Sequence, residues 1–326
     1  MRKIPIRMPK PTVCVLGGTG FVGRHLVNRL ADDGYPVRVL TRHRERHRQL
    51  LVHSEIRLIE GDVNDIDFLR SQFTGCGAVI NLAAILNEKR KGDFQKVHVV
   101  MPSKIVQACR DRGVPRLLHM SALNAETRND TSRYLHSKGQ GENLLKVASK
   151  DLAITIFRPS VIFGADDHFF NRFAGLLKIS PLVFPVVCPR ARFAPIYVGD
   201  VVQAMVSALP NRDTYGQSYD LCGPRSYSLY ELVQFTARAL GLKRLLIRLG
   251  PLLSALQARI MERLPGQPFT YDNYLSMKRD NVCHGEFPSV FGFEPVSIEA
   301  VAADYLQNGN MRGRYQRFRR HARHTE

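Results

Sequence analysis

The sequence predicts an α/β protein: a doubly wound parallel sheet followed by a smaller, mixed C-terminal domain. Over the first 160 residues, short β-branched runs alternate with stretches of helical periodicity. A glycine-rich turn joins the first run to the first helical stretch, and prolines become frequent after Pro159. Strands that alternate with helices form βαβ units, in which helices cover both faces of a parallel sheet.

The individual elements follow from the apolar periodicity and from the turn residues between the runs. Predicted strands cover residues 12–16, 37–40, 56–60, 78–82, 117–120 and 152–157. Predicted helices cover residues 21–31, 66–73, 94–112, 134–149 and 228–240, while residues 196–209 read as a strand end followed by a helix. The first half therefore alternates in the order that a parallel sheet requires.

The glycine-rich turn is the strongest local signal. Three glycines follow the first predicted strand and open the first predicted helix. This spacing permits a tight turn, a close approach of the backbone to a pyrophosphate, and close packing of helix on strand. Backbone N–H groups at the helix N-terminus then face the phosphates. The residues predicted to bind a dinucleotide here are Gly17, Thr19, Gly20, Phe21, Val22 and Gly23.

The end of the second strand selects between dinucleotides. Sheets that bind NAD usually carry Asp or Glu there for the ribose hydroxyls, whereas this strand continues into Arg42 and Arg44 without an acid. A guanidinium fork suits a 2′-phosphate, which a carboxylate would repel. We therefore predict that NADP(H) is favoured over NAD(H), with Arg42 as the selecting residue; Arg46 and Arg48 are interpreted as a solvated helix face.

A tyrosine and a lysine are spaced for acid–base chemistry. Tyr134 and Lys138 stand at i and i+4, on one face of a predicted helix. A nearby ammonium stabilises phenolate, so we expect the pKa of Tyr134 to be lowered. Tyr134 is then the candidate acid–base residue, Lys138 its pKa modifier and ribose anchor, and Ser121 the partner of the substrate oxygen. The alternative is a surface helix with a cation over an aromatic ring.

These residues, in this order, resemble the short-chain dehydrogenase/reductase superfamily from about residue 12 to residue 306. The likeness extends to Gly61-Asp62-Val63, Asn81-Leu82-Ala83-Ala84, Arg158-Pro159 and Ala194-Pro195 with Asp200, the last being typical of extended and atypical members. The resemblance implies that Asp62 and Val63 meet the adenine. It also implies that Ala83 lies against the cofactor and Pro159 near its nicotinamide.

Within the superfamily, the sequence is most similar to the branch that contains the NADPH-binding accessory subunit of respiratory complex I and its bacterial relatives. The motifs that carry this likeness are the glycine loop, Leu86-Asn87-Glu88, His119-Met120-Ser121-Ala122-Leu123 and Leu264-Pro265-Gly266-Gln267-Pro268. One departure is His98, since extended members often have Val-Asn-Val where this chain has Val97-His98-Val99. That asparagine can support the proton relay in the family, and in the accessory subunit the nucleotide is structural.

Two functions therefore stay open at this stage. One is an NADP-dependent oxidoreductase that acts on a carbonyl or alcohol, or on a quinone-related substrate. The other is a non-catalytic nucleotide-binding accessory or assembly protein of a membrane respiratory, complex I-like NADH dehydrogenase. The domain boundaries expected are an NAD(P)-binding Rossmann domain over residues 1–160, with 190–225 returning to it, a substrate or lid region over 161–306, and a basic, disordered tail over 307–326.

The charge balance bears on partners. Lys and Arg number 47 against 29 acids, which gives a net charge of +18 that would attract phosphates, nucleic acid or anionic lipid. Base-stacking aromatics are sparse in the tail, so no specific nucleic acid is expected. Residues 244–264 are predicted to form one amphipathic helix, which either covers a pocket for a small or lipid-like substrate or lies on an anionic membrane. A respiratory complex is the remaining candidate partner.

Cysteine usage and targeting signals point to the cytoplasm. Six scattered cysteines without a C-x-x-C spacing indicate neither a zinc site nor a disulfide framework, and a reducing compartment fits. No H-E-x-x-H occurs, and Asp166 and Asp167 lack matching ligands, so no metal is predicted. Without a signal h-region or a spanning apolar run, we expect a cytoplasmic protein that can be peripheral on the inner face of the cell membrane.

Overall fold

The computed structural model describes residues 10–127, 132–263 and 269–307. The strands are β1 Thr12–Leu16, β2 Val37–Thr41, β3 Ile56–Glu60, β4 Cys76–Asn81, β5 Arg116–Met120, β6 Ala153–Pro159, β7 Ile162–Phe163, β8 Val183–Val186, β9 Arg192–Phe193, β10 Ile196–Tyr197, β11 Ser218–Leu221, β12 Tyr227–Ser228 and β13 Leu245–Arg248. The motif at 264–268, the predicted basic tail from residue 308 and the N-terminal nine residues lie outside the described residues.

The helices alternate with these strands. They are α1 Phe21–Asp32, α2 Ile66–Phe73, α3 Asp93–Gln95, α4 Met101–Asp111, α5 Arg133–Ala148, α6 Phe170–Ile179, α7 Val198–Ala208, α8 Leu229–Ala239, α9 Pro251–Met261, α10 Tyr271–Ser276 and α11 Ile298–Gln307. A π-helical turn, Lys96–Val100, joins α3 to α4, and 3₁₀ turns occupy Arg44–Val52, Arg212–Thr214 and Ser289–Phe291. None of the helices in the described ranges is long and apolar enough to cross a bilayer.

Seven parallel strands form the central sheet, in the order β11-β6-β5-β4-β1-β2-β3. The predicted doubly wound α/β fold is thereby confirmed. At the end of β1, Leu16 is the register partner of Leu40 on one side and of Asn81 on the other. The strand order reverses between β1 and β4, and ligands of such sheets bind in the crevice beyond the carboxyl ends at that point.

Strand β1 is apolar from Val13 to Leu16 because both of its faces are covered. On β1, Val13 and Val15 contribute to a core shared with α1 and α7, whereas Cys14 and Leu16 contribute to the core on the opposite face, with α2, α4 and α5. Successive side chains of a strand point to opposite faces, so a strand buried on both must be apolar at every position. A third core lies among α6, α8 and α11.

The segment predicted as one helix over residues 244–264 is divided, and the single-helix prediction is wrong. Residues Leu245–Arg248 form β13, which pairs in parallel with β8, and α9 begins at Pro251 after Gly250. Pro251 occupies the first turn of α9, where its missing N–H costs no hydrogen bond and where its ring prevents an upstream helix from continuing.

The cysteine prediction also needs correction. Cys222, which follows β11, is joined to Cys283 by a disulfide, with their Cα atoms 6.0 Å apart. The chain near residue 281 returns beside β9, because Ala194 N–H donates to the Asn281 carbonyl and Asn281 N–H donates to the Arg192 carbonyl. The two cysteines are 61 residues apart in sequence and meet only because the chain folds back, so the bridge could not be predicted from their spacing. The inference of a reducing compartment loses its support.

Candidate active site

The glycine loop lies at the point where the strand order reverses. Gly17 has φ +75°, and a Cβ there would stand 2.8 Å from the carbonyl carbon of Leu82 and 2.9 Å from Ala83 N. A Cβ on Gly23 would stand 2.2 Å from the carbonyl oxygen of Gly17. The loop, the end of β4 and the start of α1 therefore approach each other too closely for side chains. The result is a backbone cradle of the kind that a pyrophosphate requires.

The N-terminus of α1 has no side-chain cap. Its N-cap residue is Gly20, whereas Ser132 caps α5 and Ser228 caps α8 with side-chain oxygens. The first N–H groups of a helix need partners, and they carry about half a positive charge. An anion placed between the glycine loop and α1 would supply those partners, so these residues fit the diphosphate of a dinucleotide.

Asp166, whose contacts were not predicted from the sequence, links the loop after β7 to α1; we call this contact the Asp166 clamp. Asp166 forms an ion pair with Arg24, and its Oδ1 lies 3.2 Å from His25 Nε2. Burial opposes ionisation of Asp166, but hydrogen bonds from His25 and Arg24 outweigh it and lower the pKa to about 2. Arg24 also donates to the Thr19 carbonyl at 3.4 Å. The loop after β7 is thus connected, through Arg24, to the glycine loop and α1.

Arg42, the residue predicted to select the cofactor, is an exposed cation just beyond β2. The neighbouring acids are already engaged: Glu60 accepts from Arg44 N–H at 2.7 Å, and Asp62 accepts from Asn64 N–H at 2.9 Å. The Asn64 hydrogen bonds, with smaller contributions from Lys104 and Arg42, hold the pKa of Asp62 below its usual range. These two acids lie at and just after the end of β3, whereas the prediction of cofactor preference considered only the end of β2.

Val63 and Ala83, which the family resemblance placed near the cofactor, are both half-buried beside the core that α2, α4 and α5 share. Ala83 N–H donates to the side chain of Asn81, whose amide also contacts the ring of His119 at 3.1 Å. Burial holds the pKa of His119 well below its usual range. The end of β4 is therefore held in place by neutral hydrogen bonds.

Lys138 is buried, and its ammonium donates to the Met120 carbonyl at 2.8 Å. Burial lowers its pKa to about 8. Tyr134, one turn earlier on α5, is half-buried, and burial raises its pKa to about 12. The predicted lowering of the Tyr134 pKa is therefore wrong for the protein without ligand, because desolvation of the phenolate decides the shift.

Ser121, the predicted partner of the substrate oxygen, directly follows β5. Its side chain is buried, and its Oγ has no hydrogen-bond partner among the described residues. Its backbone N–H donates to the Phe157 carbonyl, whereas the next two residues, Ala122 and Leu123, line the cavity described below. The structure thus brings Tyr134 but not Ser121 to the cavity wall. An unpartnered buried hydroxyl costs on the order of 1–3 kcal/mol.

The histidine that departs from the family pattern is buried in a π-helical turn, next to Tyr134. Ile85 N–H donates to His98 Nε2 at 3.2 Å, so Nδ1 carries the proton and donates to Ser137 Oγ at 2.8 Å. Ser137 Oγ donates in turn to the Tyr134 carbonyl at 2.8 Å. Burial, with the nearby Lys138 charge, lowers the pKa of His98 to about 3. His98 is therefore a neutral, fully engaged support for α5.

A largely apolar cavity of about 400 Å³ opens beside Tyr134. Phe21, from the dinucleotide loop, and Pro159, from the end of β6, form part of its wall. Its apolar lining includes Leu86, Phe169, Phe173, Leu176, Phe184, Phe193 and Met277. Its polar lining includes Asn124, Ser160, His168, Arg172, Gln257, Asn273, Ser276 and Asn281.

The roof of the cavity is formed by α9 and α10. Gln257 and Met261 of α9 line the cavity, in agreement with a pocket cover rather than a free helix. Asp272 of α10 accepts from the backbone N–H groups of Arg133, at 2.7 Å, and Tyr134, at 3.1 Å. The roof is therefore hydrogen-bonded to the N-terminus of the helix that carries Tyr134.

No cluster of three or more His, Cys, Asp or Glu side chains suited to a metal occurs in the ranges that the structure describes. Asp167, a residue considered for this role, accepts from Gly164 N–H at 3.1 Å and from the Tyr305 hydroxyl at 2.8 Å. These hydrogen bonds hold the loop after β7 in place.

Comparison with known proteins agrees with this geometry. The model of the "NAD dependent epimerase/dehydratase family" matches residues 13–222. Subunit 9 of the NADH dehydrogenase [ubiquinone] 1 alpha subcomplex of Mus musculus, a mitochondrial protein, is 35% identical over 227 residues, which cover 68% of this chain and 59% of that protein. The chain thus matches about three fifths of the length of that relative.

Two further similarities cover a larger part of the other protein's length. The ceramide reductase of Caulobacter vibrioides is 31% identical over 242 residues, 73% of each chain. An epimerase from Methanothermobacter thermautotrophicus superposes with a TM-score of 0.75 at 15% identity, covering 96% of this chain and 95% of that one, which supports the fold alone. The resemblance to an extended dehydrogenase/reductase and to the complex I accessory subunit is confirmed.

Proposed function

The chain belongs to the NAD dependent epimerase/dehydratase family, and from that premise we propose that it is an NADP(H)-dependent oxidoreductase acting on a carbonyl or alcohol of a lipid-like substrate. One observation carries the proposal: Tyr134 and Phe21 of the dinucleotide loop line the same apolar cavity of about 400 Å³. Small-molecule sites are typically concave, mostly apolar and supplied with a few polar groups. The similarity to a ceramide reductase supports a substrate with a long apolar part.

The binding roles follow from the chemistry of the residues present. The glycine loop and the uncapped α1 would hold the diphosphate, and Arg42 the 2′-phosphate. Lys138 uses one N–H on the Met120 carbonyl, which leaves two donors for the nicotinamide ribose. When bound, the reduced cofactor supplies a hydride to the substrate carbon.

Tyr134 would handle the proton. With a pKa of about 12, its hydroxyl stays protonated at neutral pH, so it is suited to donate a proton to the carbonyl oxygen during reduction. Lys138, whose pKa is about 8, is charged below that pH and would stabilise the tyrosinate that remains. The apolar wall would exclude water from this step. A proton donor of this kind contributes a factor of about 10²–10⁴ in rate.

The decisive experiment combines turnover with cofactor binding. NADPH oxidation is measured with a quinone analogue and with a long-chain ketone, and binding by NADPH fluorescence. Tyr134→Phe should lower turnover by about 10²-fold or more and leave NADPH affinity unchanged. Tyr215→Phe, at an exposed site stacked by Arg116, is the matched control and should retain turnover. Full turnover in Tyr134→Phe would refute the assignment.

The cofactor preference has its own test. Arg42→Glu should weaken NADPH binding about 10- to 100-fold, since a charge-assisted hydrogen bond is worth about 1.5–3 kcal/mol, and should leave NADH binding nearly unchanged. Arg46→Glu, at a nearby exposed position, makes the same charge change and should have little effect. An unaltered preference in Arg42→Glu would contradict the selection of NADP(H) by this residue.

A second candidate is a non-catalytic accessory or assembly role in a membrane respiratory complex. The similarity to the mouse NADH dehydrogenase subunit favours it, as does His98 in place of the family asparagine. Bound NADPH would then stabilise the fold by mass action, by about 2.7 kcal/mol at 100 times its Kd. This role predicts tight NADPH binding with no oxidation by either substrate probe. It also predicts co-purification with a membrane NADH dehydrogenase.

A further inference from the structure

The outer face of α9 is apolar and exposed. Leu252, Leu253, Leu256 and Ile260 are 87%, 56%, 54% and 53% exposed, and their spacing places them on one side of the helix. The opposite side is well packed, since Ser254 and Ala258 are buried. The helix therefore has one side that packs inward over the cavity and one apolar side that meets solvent.

Exposed apolar side chains also occur on the two strands that precede α9. Val183 and Leu245 are register partners on β8 and β13, and both are exposed, as are Leu182 and Ile247 beside them. Leu249 N–H donates to the Val186 carbonyl, which fixes the start of α9 to the end of β8. We call these side chains and the outer leucines of α9 the α9/β13 face. Monomeric soluble proteins rarely expose large contiguous apolar patches, and those that do use them for binding.

The charge around this face is predominantly basic. Residues 241–263 contain five basic side chains (Lys243, Arg244, Arg248, Arg259, Arg263) and one acid, Glu262. Arg248 also lines a groove of about 350 Å³ with the exposed Arg190 and Arg192, against one acid, Glu231. A surface of leucines interspersed with arginines complements an anionic membrane, where each basic residue contributes about 1 kcal/mol.

We propose that the α9/β13 face docks on the surface of an anionic phospholipid bilayer. The exposed leucines enter the acyl boundary, and the arginines lie at the phosphates. A protein partner fits less well, because protein interfaces concentrate their binding energy in buried Trp and Tyr, and the exposed apolar residues of this face are all aliphatic. Gln257 and Met261 of the same helix line the cavity, so docking would place the cavity roof against the lipid from which a substrate enters. This last step rests on the proposed function, whereas the docking does not.

The test is flotation of the full chain, loaded with NADPH, with vesicles of phosphatidylcholine alone or mixed with phosphatidylglycerol. The parent protein should float with the anionic vesicles and be released by high salt. The double variant Leu252→Gln/Leu256→Gln should reduce the floating fraction at least tenfold. Val52→Gln/Val147→Gln removes two equally exposed apolar side chains elsewhere and should float like the parent. Thermal melting and NADPH fluorescence of each variant establish that the fold and the cofactor site are intact.

Three outcomes would overturn the docking proposal. In the first, the parent fails to float with anionic vesicles. In the second, the α9 double variant floats as well as the parent. In the third, the α9 variant loses only its association with a purified membrane NADH dehydrogenase while vesicle binding is absent, which would make this face a protein interface. Vesicle binding without NADPH oxidation would refute the proposed enzyme activity and leave the docking intact.

Discussion

Burial of the neutral His98 makes the stability of the protein depend on pH. The pKa of His98 is about 3 in the folded chain and ordinarily 6.5. Between these pH values, the unfolded chain therefore binds a proton that the folded chain does not bind. The stabilisation is complete above pH 6.5 and is lost as pH falls toward 3. At 1.36 kcal/mol per pH unit, the full interval amounts to about 5 kcal/mol, and about 3 kcal/mol is lost by about pH 4.5.

The pKa of His98 is lowered mainly by burial of the ring, with the nearby Lys138 charge, and the fixed tautomer leaves no acceptor for an added proton. Ile85 N–H already points at His98 Nε2, so a proton added to that nitrogen would face another donor and break the bond. His98→Asn removes the titrating ring and keeps one amide for hydrogen bonding. We expect this variant to be less stable than the parent at pH 7, but to lose less free energy of unfolding between pH 6.5 and 4.5, by about 3 kcal/mol.

Urea unfolding followed by circular dichroism, at a series of pH values, measures this difference. Ser137→Ala is the control, because it removes the acceptor of the Nδ1 hydrogen bond and leaves the ring in place. It should lower stability at every pH and retain the steep acid dependence. Parallel pH profiles for the parent and His98→Asn would show that the imidazole is already protonated in the fold, and the tautomer argument would be wrong.

Three further predictions concern the cradle, the clamp and the disulfide. Gly23→Ala should abolish NADPH binding in a fluorescence titration, because its Cβ would stand 2.2 Å from the Gly17 carbonyl oxygen; Gly175→Ala, with no atom near its Cβ, should bind normally. Asp166→Asn should lower Tm at pH 7. The pKa of Asp166 is about 2 in the folded chain and ordinarily 3.8. The stability difference between the parent and Asp166→Asn should therefore shrink as pH falls from 4 toward 2. Cys222 and Cys283 are 61 residues apart, so reduction of their disulfide should lower the free energy of unfolding by about 4 kcal/mol. The stability of a Cys222→Ser/Cys283→Ser variant should not change with reductant. A parent protein whose stability is also unchanged by reductant would show that the bridge is absent.

The predictions that succeeded depend on local chain geometry. The glycine spacing is interpretable because a strand, a tight turn and a helix N-terminus are adjacent in sequence, and each glycine has its own steric reason. The strand pattern is equally direct, since Val13 and Cys14 enter opposite cores and both must be apolar. Such signals need no knowledge of what lies far along the chain.

The predictions that failed depend on neighbours distant in sequence. The pKa of Tyr134 is raised because the folded chain desolvates its hydroxyl, and no i,i+4 spacing reports that environment. The helix predicted over 244–264 divides because β8, some 60 residues earlier, offers a strand partner.

The sequence by itself determined the parallel sheet, the glycine-rich turn at its switch point and the helix that carries Tyr134 and Lys138, because periodicity and glycine sterics act over a few residues. Only the tertiary structure decided which polar groups face the cavity, how strongly the titrating groups are desolvated, that Cys222 meets Cys283, and that α9 turns one apolar side outward. These properties are set by burial, and burial is decided by parts of the chain that meet only on folding.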